Sequence, residues 1–170
     1  QPSCPAAQPV ILEAERDQEP RWQPQKMATN DVYGLRLQDV SGWVVRGLTL
    51  EGSEGQPRFG IEVMALKAPV AHISLLGNRV LDWNLPTRYS NSAAITLHGT
   101  LEGATLSHMR VSGNTIQGFR RKGLTVLHSQ HGYFGYNEVS GGRCGPDVPG
   151  GTQGHSLIGV HTHTGGALSV

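Results

Sequence analysis

One short strand motif recurs along the chain, and it constrains the fold more than any other feature. It stands as Gly34-Leu35-Arg36-Leu37, Gly60-Ile61-Glu62-Val63, Ala94-Ile95-Thr96-Leu97 and Gly123-Leu124-Thr125-Val126, with an imperfect fifth copy at Ile158-Gly159-Val160. The first four copies start 26, 34 and 29 residues apart. A second motif follows within each period, as Ile73-x-Leu75-x-x-Asn78-x-Val80, Met109-x-Val111-x-x-Asn114-x-Ile116 and Phe134-x-x-Asn137-x-Val139. Leu48-x-Leu50-x-x-Ser53 reads as its degenerate first copy.

Apolar residues that alternate over so few positions indicate half-buried strands. A small residue followed by Asn between two strands predicts a bend, because Asn tolerates the left-handed conformation. Each period therefore reads as strand, turn, strand, Asn bend, strand and loop. A unit of that size cannot bury its own apolar side, so it must stack on its neighbours in register and in parallel. Leu37, Val63, Leu97, Val126 and Val160 are expected to form one internal column, and Leu50, Leu75, Val111 and Phe134 another. An antiparallel sandwich also uses short strands, but it does not need the same residue class at matched offsets in period after period.

Composition agrees with this reading. The 170 residues suit one domain, 23 of them are glycine, only 16% are charged and the net charge is +1, a balance of turn-rich β proteins rather than helical ones. No run approaches the ~20 apolar residues that span a bilayer, and Gln1-Pro2-Ser3-Cys4-Pro5 has no charged-then-apolar leader pattern. The expectation is a soluble chain, or a mature or trimmed form, with no membrane partner. Cys4 and Cys144 are either two free thiols or one bridge, which by chain entropy would contribute ~4–5 kcal/mol.

The repeated residues resemble the pectate-lyase-like superfamily of right-handed parallel β-helices, from about Asp31 to the C-terminus. The fold class expected is all-β, a right-handed parallel β-helix (solenoid) of about four to five coils over residues 31–170, with residues 1–30 as an N-terminal tail and degenerate first coil or cap. No polar cap follows Val160, so the end from Ile158 to Val170 is expected to meet a second copy or another chain, to fray in its last coil, or to continue into a longer chain. The resemblance implies a secreted or extracellular, or periplasmic, location.

Within the first strand of each coil, the residues between the inward apolar ones project outward. They form a ladder of Arg36, Glu62, Thr96 and Thr125 beside a second of Gln38, Met64, His98, Leu127 and His161. Polar, locally basic loops precede the strand, carrying Arg58-Phe59, Tyr89-Ser90-Asn91-Ser92, Arg120-Arg121-Lys122 and Gln153-Gly154-His155. Three consecutive cations are either a solvated loop or, beside the ladder, a docking point for the carboxylate or sulfate groups of an acidic polysaccharide. Nucleic acid is not expected as a partner, since no aromatic run interleaves with a basic patch and the bulk charge is not basic.

The superfamily resemblance implies polysaccharide lyases as one activity, in which a base removes the proton beside a neutralised uronate carboxylate. The candidate catalytic residues are Lys122, His98 and Arg121, and the candidate substrate-binding residues are Arg36, Glu62, Arg58, Arg120, His128 and His155. Glu62 and Lys67 are similar to the calcium-glutamate and base-lysine pair of chondroitinase-like and alginate-lyase-like β-helices, so calcium is the cofactor this resemblance implies. Gly60 stands where that pattern carries a second glutamate. Hydrolysis is disfavoured, because it needs carboxylates within ~5–9.5 Å of each other and Glu62 is the one acidic residue on the expected outer ladder. His161 and His163, with His155, are either metal ligands or ordinary surface residues. His98 and His128 suit a base or a sugar-stacking role, and Trp22, Trp43 and Trp83 are expected to pack. Two functions stay open: a carbohydrate-active β-helix, and a non-catalytic shaft or attachment segment similar to phage tailspikes.

Overall fold

A computed structural model describes residues 8–15, 21–22, 33–52, 59–83, 93–100, 103–119, 122–141 and 156–161, the last segment by its backbone alone. The chain starts with β1 (Val10–Glu13) and β2 (Arg21–Trp22). The next period holds β3 (Tyr33–Gln38), β4 (Trp43–Arg46) and β5 (Thr49–Glu51). Then come β6 (Phe59–Met64), β7 (Val70–Ala71), β8 (Ser74–Leu76) and β9 (Arg79–Leu81). The same sequence of four repeats as β10 (Ala93–His98), β11 (Leu106–Ser107), β12 (Arg110–Ser112) and β13 (Thr115–Gln117). It repeats again as β14 (Lys122–Leu127), β15 (Ser129–Gln130), β16 (Tyr133–Gly135) and β17 (Glu138–Ser140), before β18 (Ser156–His161) opens another period.

The described chain is all-β, with no helix, and its strands form four stacked parallel sheets. One sheet runs β3-β6-β10-β14-β18, and the others run β1-β4-β8-β12-β16, β2-β5-β9-β13-β17 and β7-β11-β15. Each full period thus gives one strand to each sheet. The first strand pairs in the register that the motif predicts: Leu37 meets Val63, which meets Leu97, then Val126, then Val160. Leu37, Val63, Leu97 and Val126 are buried in the apolar core. Small residues head this strand for a steric reason. A Cβ on Gly60 would collide with the Ala94 carbonyl oxygen and the Val80 side chain.

The second column is corrected by the pairing. Val45, not Leu50, stacks on Leu75, Val111 and Phe134, while Leu50 stacks on Val80, Ile116 and Val139. The true first copy of the second motif is therefore Trp43-x-Val45-x-x-Leu48-x-Leu50. With Leu48 in place of Asn, an apolar-x-apolar pattern occurs twice in one period, and the sequence alone gives no way to choose between the two.

The bend is corrected too. Its left-handed residue is the one before the Asn, namely Gly47, Gly77, Gly113 or Tyr136, at φ 67°, 59°, 67° and 57°. Asn78 and Asn114 are instead buried, and with Asn137 they form a continuous hydrogen-bonded column. The Asn114 Oδ1 accepts from the Asn78 backbone N–H at 2.9 Å and from the Asn78 Nδ2 at 3.0 Å. The Asn114 Nδ2 donates to the Leu75 carbonyl at 2.9 Å and to the Asn137 Oδ1 at 2.8 Å. At the other end the Leu48 N–H donates to the Asn78 Oδ1, so the column ends on a backbone donor.

Trp83 is buried and Trp43 packs on the core as expected, but Trp22 is half exposed. Its strand, β2, pairs only with β5 among the described residues. Cys4, Cys144 and residues 162–170 lie outside the described residues. Among the described residues, no helix is long and apolar enough to cross a membrane.

Candidate functional site

The β3-β6-β10-β14 face carries the expected outer ladder in direct register, with Arg36 beside Glu62, then Thr96, then Thr125. The neighbouring ladder of Gln38, Met64, His98 and Leu127 is also in register. Pointing away from the apolar core does not leave these side chains in solvent. Glu62, Thr96 and Thr125 are 1%, 4% and 4% exposed.

Burying a carboxylate is costly unless charges and hydrogen bonds answer it. Glu62 is answered from two strands. Arg36 brings its Nε to 2.9 Å from Oε2, as an ion pair whose N–H is not aligned for a hydrogen bond, and His98 brings its Nε2 to 2.8 Å from Oε1. A carboxylate only accepts, so opposite ionised Glu62 the His98 proton sits on Nε2, leaving Nδ1 as the ring's other nitrogen. Arg36 is held further by its Nη2 donating to the Met64 Sδ at 3.1 Å and by its guanidinium lying 4.3 Å from the Tyr33 ring centre. Tyr33 in turn stacks on Phe59, with ring centres 6.0 Å apart and planes 15° from parallel.

These groups line a cavity of about 310 Å³, together with Thr96, Lys122 and Thr125. Lys122, at the start of β14, has no ion-pair partner among the described residues. The Thr125 Oγ1 is buried without a hydrogen-bond partner. The cavity therefore offers an internally paired trio, an ammonium with no ion-pair partner among the described residues, an unmet hydroxyl and two aromatic rings. The backbone register alone does not produce the Glu62–His98 contact, because His98 stands diagonally across from Glu62 and reaches it through side-chain length.

Of the candidate residues, Arg36, Glu62, His98 and Lys122 come together in this cavity. His128 does not line it; it occupies a left-handed turn position just after β14, at φ 54°. Arg58, Arg120, Arg121, His155 and His163 lie outside the described residues, and for His161 only the backbone, paired with Leu127, is described. Lys67 is also away from the cavity. Its backbone N–H donates to the Asp39 carboxylate at 2.9 Å, beside those of Leu66 at 2.7 Å and Ala68 at 3.4 Å. The Lys67 N–H is the main reason the Asp39 carboxyl is held below the usual carboxylate range; desolvation opposes it, and the other two N–H groups and Gln38 add to it. Both Glu62 oxygens face protein cations or donors, and among the described residues no group of three or more His, Cys, Asp or Glu side chains is arranged to hold a metal ion.

Sequence reasoning missed the aromatic part of the cavity and a row of imidazoles elsewhere. His72, His108 and His131 stack with ring centres 4.8 and 5.3 Å apart, each in a left-handed turn that His tolerates better than most residues. Their signal was present: each directly precedes the inward residue, Ile73, Met109 or Gly132, that opens the next strand. Compared with family models, curated proteins and solved structures, the chain shows no match to any of them.

Proposed function

We propose that the chain is a right-handed parallel β-helix of the pectate-lyase-like kind, and that it binds an acidic polysaccharide along the β3-β6-β10-β14 face. Parallel crossovers are right-handed in nearly all proteins, which supports the hand. The observation that carries the functional reading is the cavity itself, where Lys122, an ammonium with no ion-pair partner among the described residues, lines one cavity with the Tyr33–Phe59 pair and a carboxylate already paired with Arg36 and facing the His98 Nε2. At about 310 Å³ it stands at the small end of ligand sites, roughly 300–1,000 Å³, and suits one ring of a longer chain. Arg120 and Arg121 directly precede Lys122 in sequence, making three consecutive cations.

The same residues fit β-elimination. With a uronate ring in the cavity, Lys122 and Arg121 neutralise its carboxylate, and the His98 Nδ1, its ring oriented by Glu62, accepts the adjacent carbon-bound proton. The electron pair left on carbon forms the new double bond as the glycosidic carbon–oxygen bond breaks, the departing oxygen takes a proton from water, and the hydroxide so formed takes the abstracted proton back from His98. The test mixes the protein with polygalacturonate, alginate and glycosaminoglycans in low salt, following binding by calorimetry and unsaturated uronate by absorbance. Binding that weakens with salt and falls several-fold in Lys122→Gln supports the reading; binding without any absorbance rise assigns a non-catalytic attachment role. No binding to any acidic polymer in low salt overturns it.

A further inference from the structure

The outer ladder is electrically divided. At one end Arg36 and Glu62 cancel as charges without an aligned hydrogen bond between them, and the Glu62 Oε1 lies 2.8 Å from the His98 Nε2. At the other, Thr125 is 4% exposed with an unmet hydroxyl, and Lys122 on the same strand has no ion-pair partner among the described residues. The next ladder position beyond Thr125 is Gly159, which has no side chain to offer that hydroxyl a partner. A buried hydroxyl without a hydrogen bond costs folding free energy, and such groups in native proteins commonly await a ligand or water.

We infer that Lys122 and Thr125 form an oxyanion subsite for one carboxylate or sulfate group, and that the Arg36–Glu62–His98 trio is the closed floor beside it rather than the anion's partner. The polymer to which the anion belongs rests on the acidic-polysaccharide reading above; the subsite does not. An ammonium and a hydroxyl both donate, so one oxyanion accepts from both. With Arg36 and Glu62 cancelling as charges, Lys122 leaves a single uncompensated charge among the described residues that line the cavity, which matches a monoanion better than a group carrying two.

Thr125→Val keeps the shape and removes the hydroxyl. In the ligand-free protein it is expected to raise Tm by about 2–4 °C, because an unmet polar group is replaced by an apolar one. The Thr125 methyl resonance of the wild-type protein is then followed against galacturonate, galactose 6-sulfate and inorganic sulfate, with galactose as the neutral control. A saturable shift with an anion but not with galactose is expected, with affinity about tenfold weaker in Lys122→Met when the same resonance is followed. Affinity about tenfold weaker is also expected in Thr125→Val when backbone amides are followed. Arg110→Gln, which removes a cation from β12 on another sheet, leaves the affinity unchanged. A response to galacturonate alone identifies a carboxylate, and a response to the sulfates alone identifies a sulfate. Anion binding at Thr125 without polymer binding sustains the subsite and removes the polysaccharide reading. A lower Tm in Thr125→Val, unchanged anion affinity in that variant, or no anion response in the wild type each overturns the subsite.

Discussion

The inner Asn column and the outer ladder are both rows of polar side chains stacked across parallel strands and mostly withdrawn from solvent, yet they are finished differently. In the column, each amide of Asn78 and Asn114 both donates and accepts, and the column ends on the Leu48 N–H. In the ladder, Glu62 is answered by the charge of Arg36 and by the His98 Nε2, but its Oε2 accepts no hydrogen bond, and the Thr125 hydroxyl has neither an opposite charge nor a hydrogen bond. A fully satisfied polar row rigidifies its surroundings and fixes register. A partly satisfied one sacrifices stability, and it is on that row that the oxyanion subsite is proposed.

Breaking the column is expected to have the largest effect. Asn114→Ala removes the acceptor of the Asn78 N–H and Nδ2, and the donor to the Leu75 carbonyl and the Asn137 Oδ1. Buried groups left unmet cost about 1–3 kcal/mol each, with sharing between neighbours, so a loss of about 4 kcal/mol is expected in urea unfolding. A loss below about 1 kcal/mol would show that the column is not a structural element.

The sequence revealed the parallel periodicity because side-chain class repeats wherever the fold repeats. Gly34, Gly60, Ala94 and Gly123 align, and so do Leu37, Val63, Leu97 and Val126. It misled where two physical roles share one pattern. Leu48 in the Asn position made the first copy look five residues displaced, and a Gly-Asn pair suggested a left-handed Asn although Gly takes that conformation and Asn turns inward. The ladders on the candidate face were legible by alternation, but their burial was not, nor was the diagonal reach of His98 to Glu62. Both depend on how long side chains fold over a face, which no spacing rule encodes.

The ladder is expected to break more gently than the column. Glu62→Gln leaves Arg36 without its counter-charge, a kind of loss that costs about 3–5 kcal/mol when a buried pair is broken, and it weakens the acceptor that faces His98. Here the Arg36 and His98 side chains keep 30% and 22% of their exposure, so water compensates part of the loss and about 1–2 kcal/mol is expected. Urea unfolding of this variant beside Asn114→Ala tests the ranking, and a larger loss at Glu62 would reverse the contrast between the two rows.

The smallest effect separates a satisfied polar group on the outside from both rows. The Asp39 carboxylate collects the N–H groups of Lys67, Leu66 and Ala68 at the end of β3, and the Lys67 N–H does most to hold its carboxyl below the usual range. In the unfolded chain the group titrates near 3.9, as an ordinary Asp does. Because the folded value is the lower one, its stabilisation is complete above the unfolded value and disappears as pH falls through the folded value. Asp39→Asn keeps an oxygen acceptor and tolerates the left-handed backbone at φ 53°, but it has no charge to lose. Thermal unfolding of both proteins is therefore expected to show a wild-type advantage that is constant from pH 7 to about 5 and shrinks below about 4. An advantage that grows on acidification would mean that the three N–H groups do not favour the ionised carboxylate.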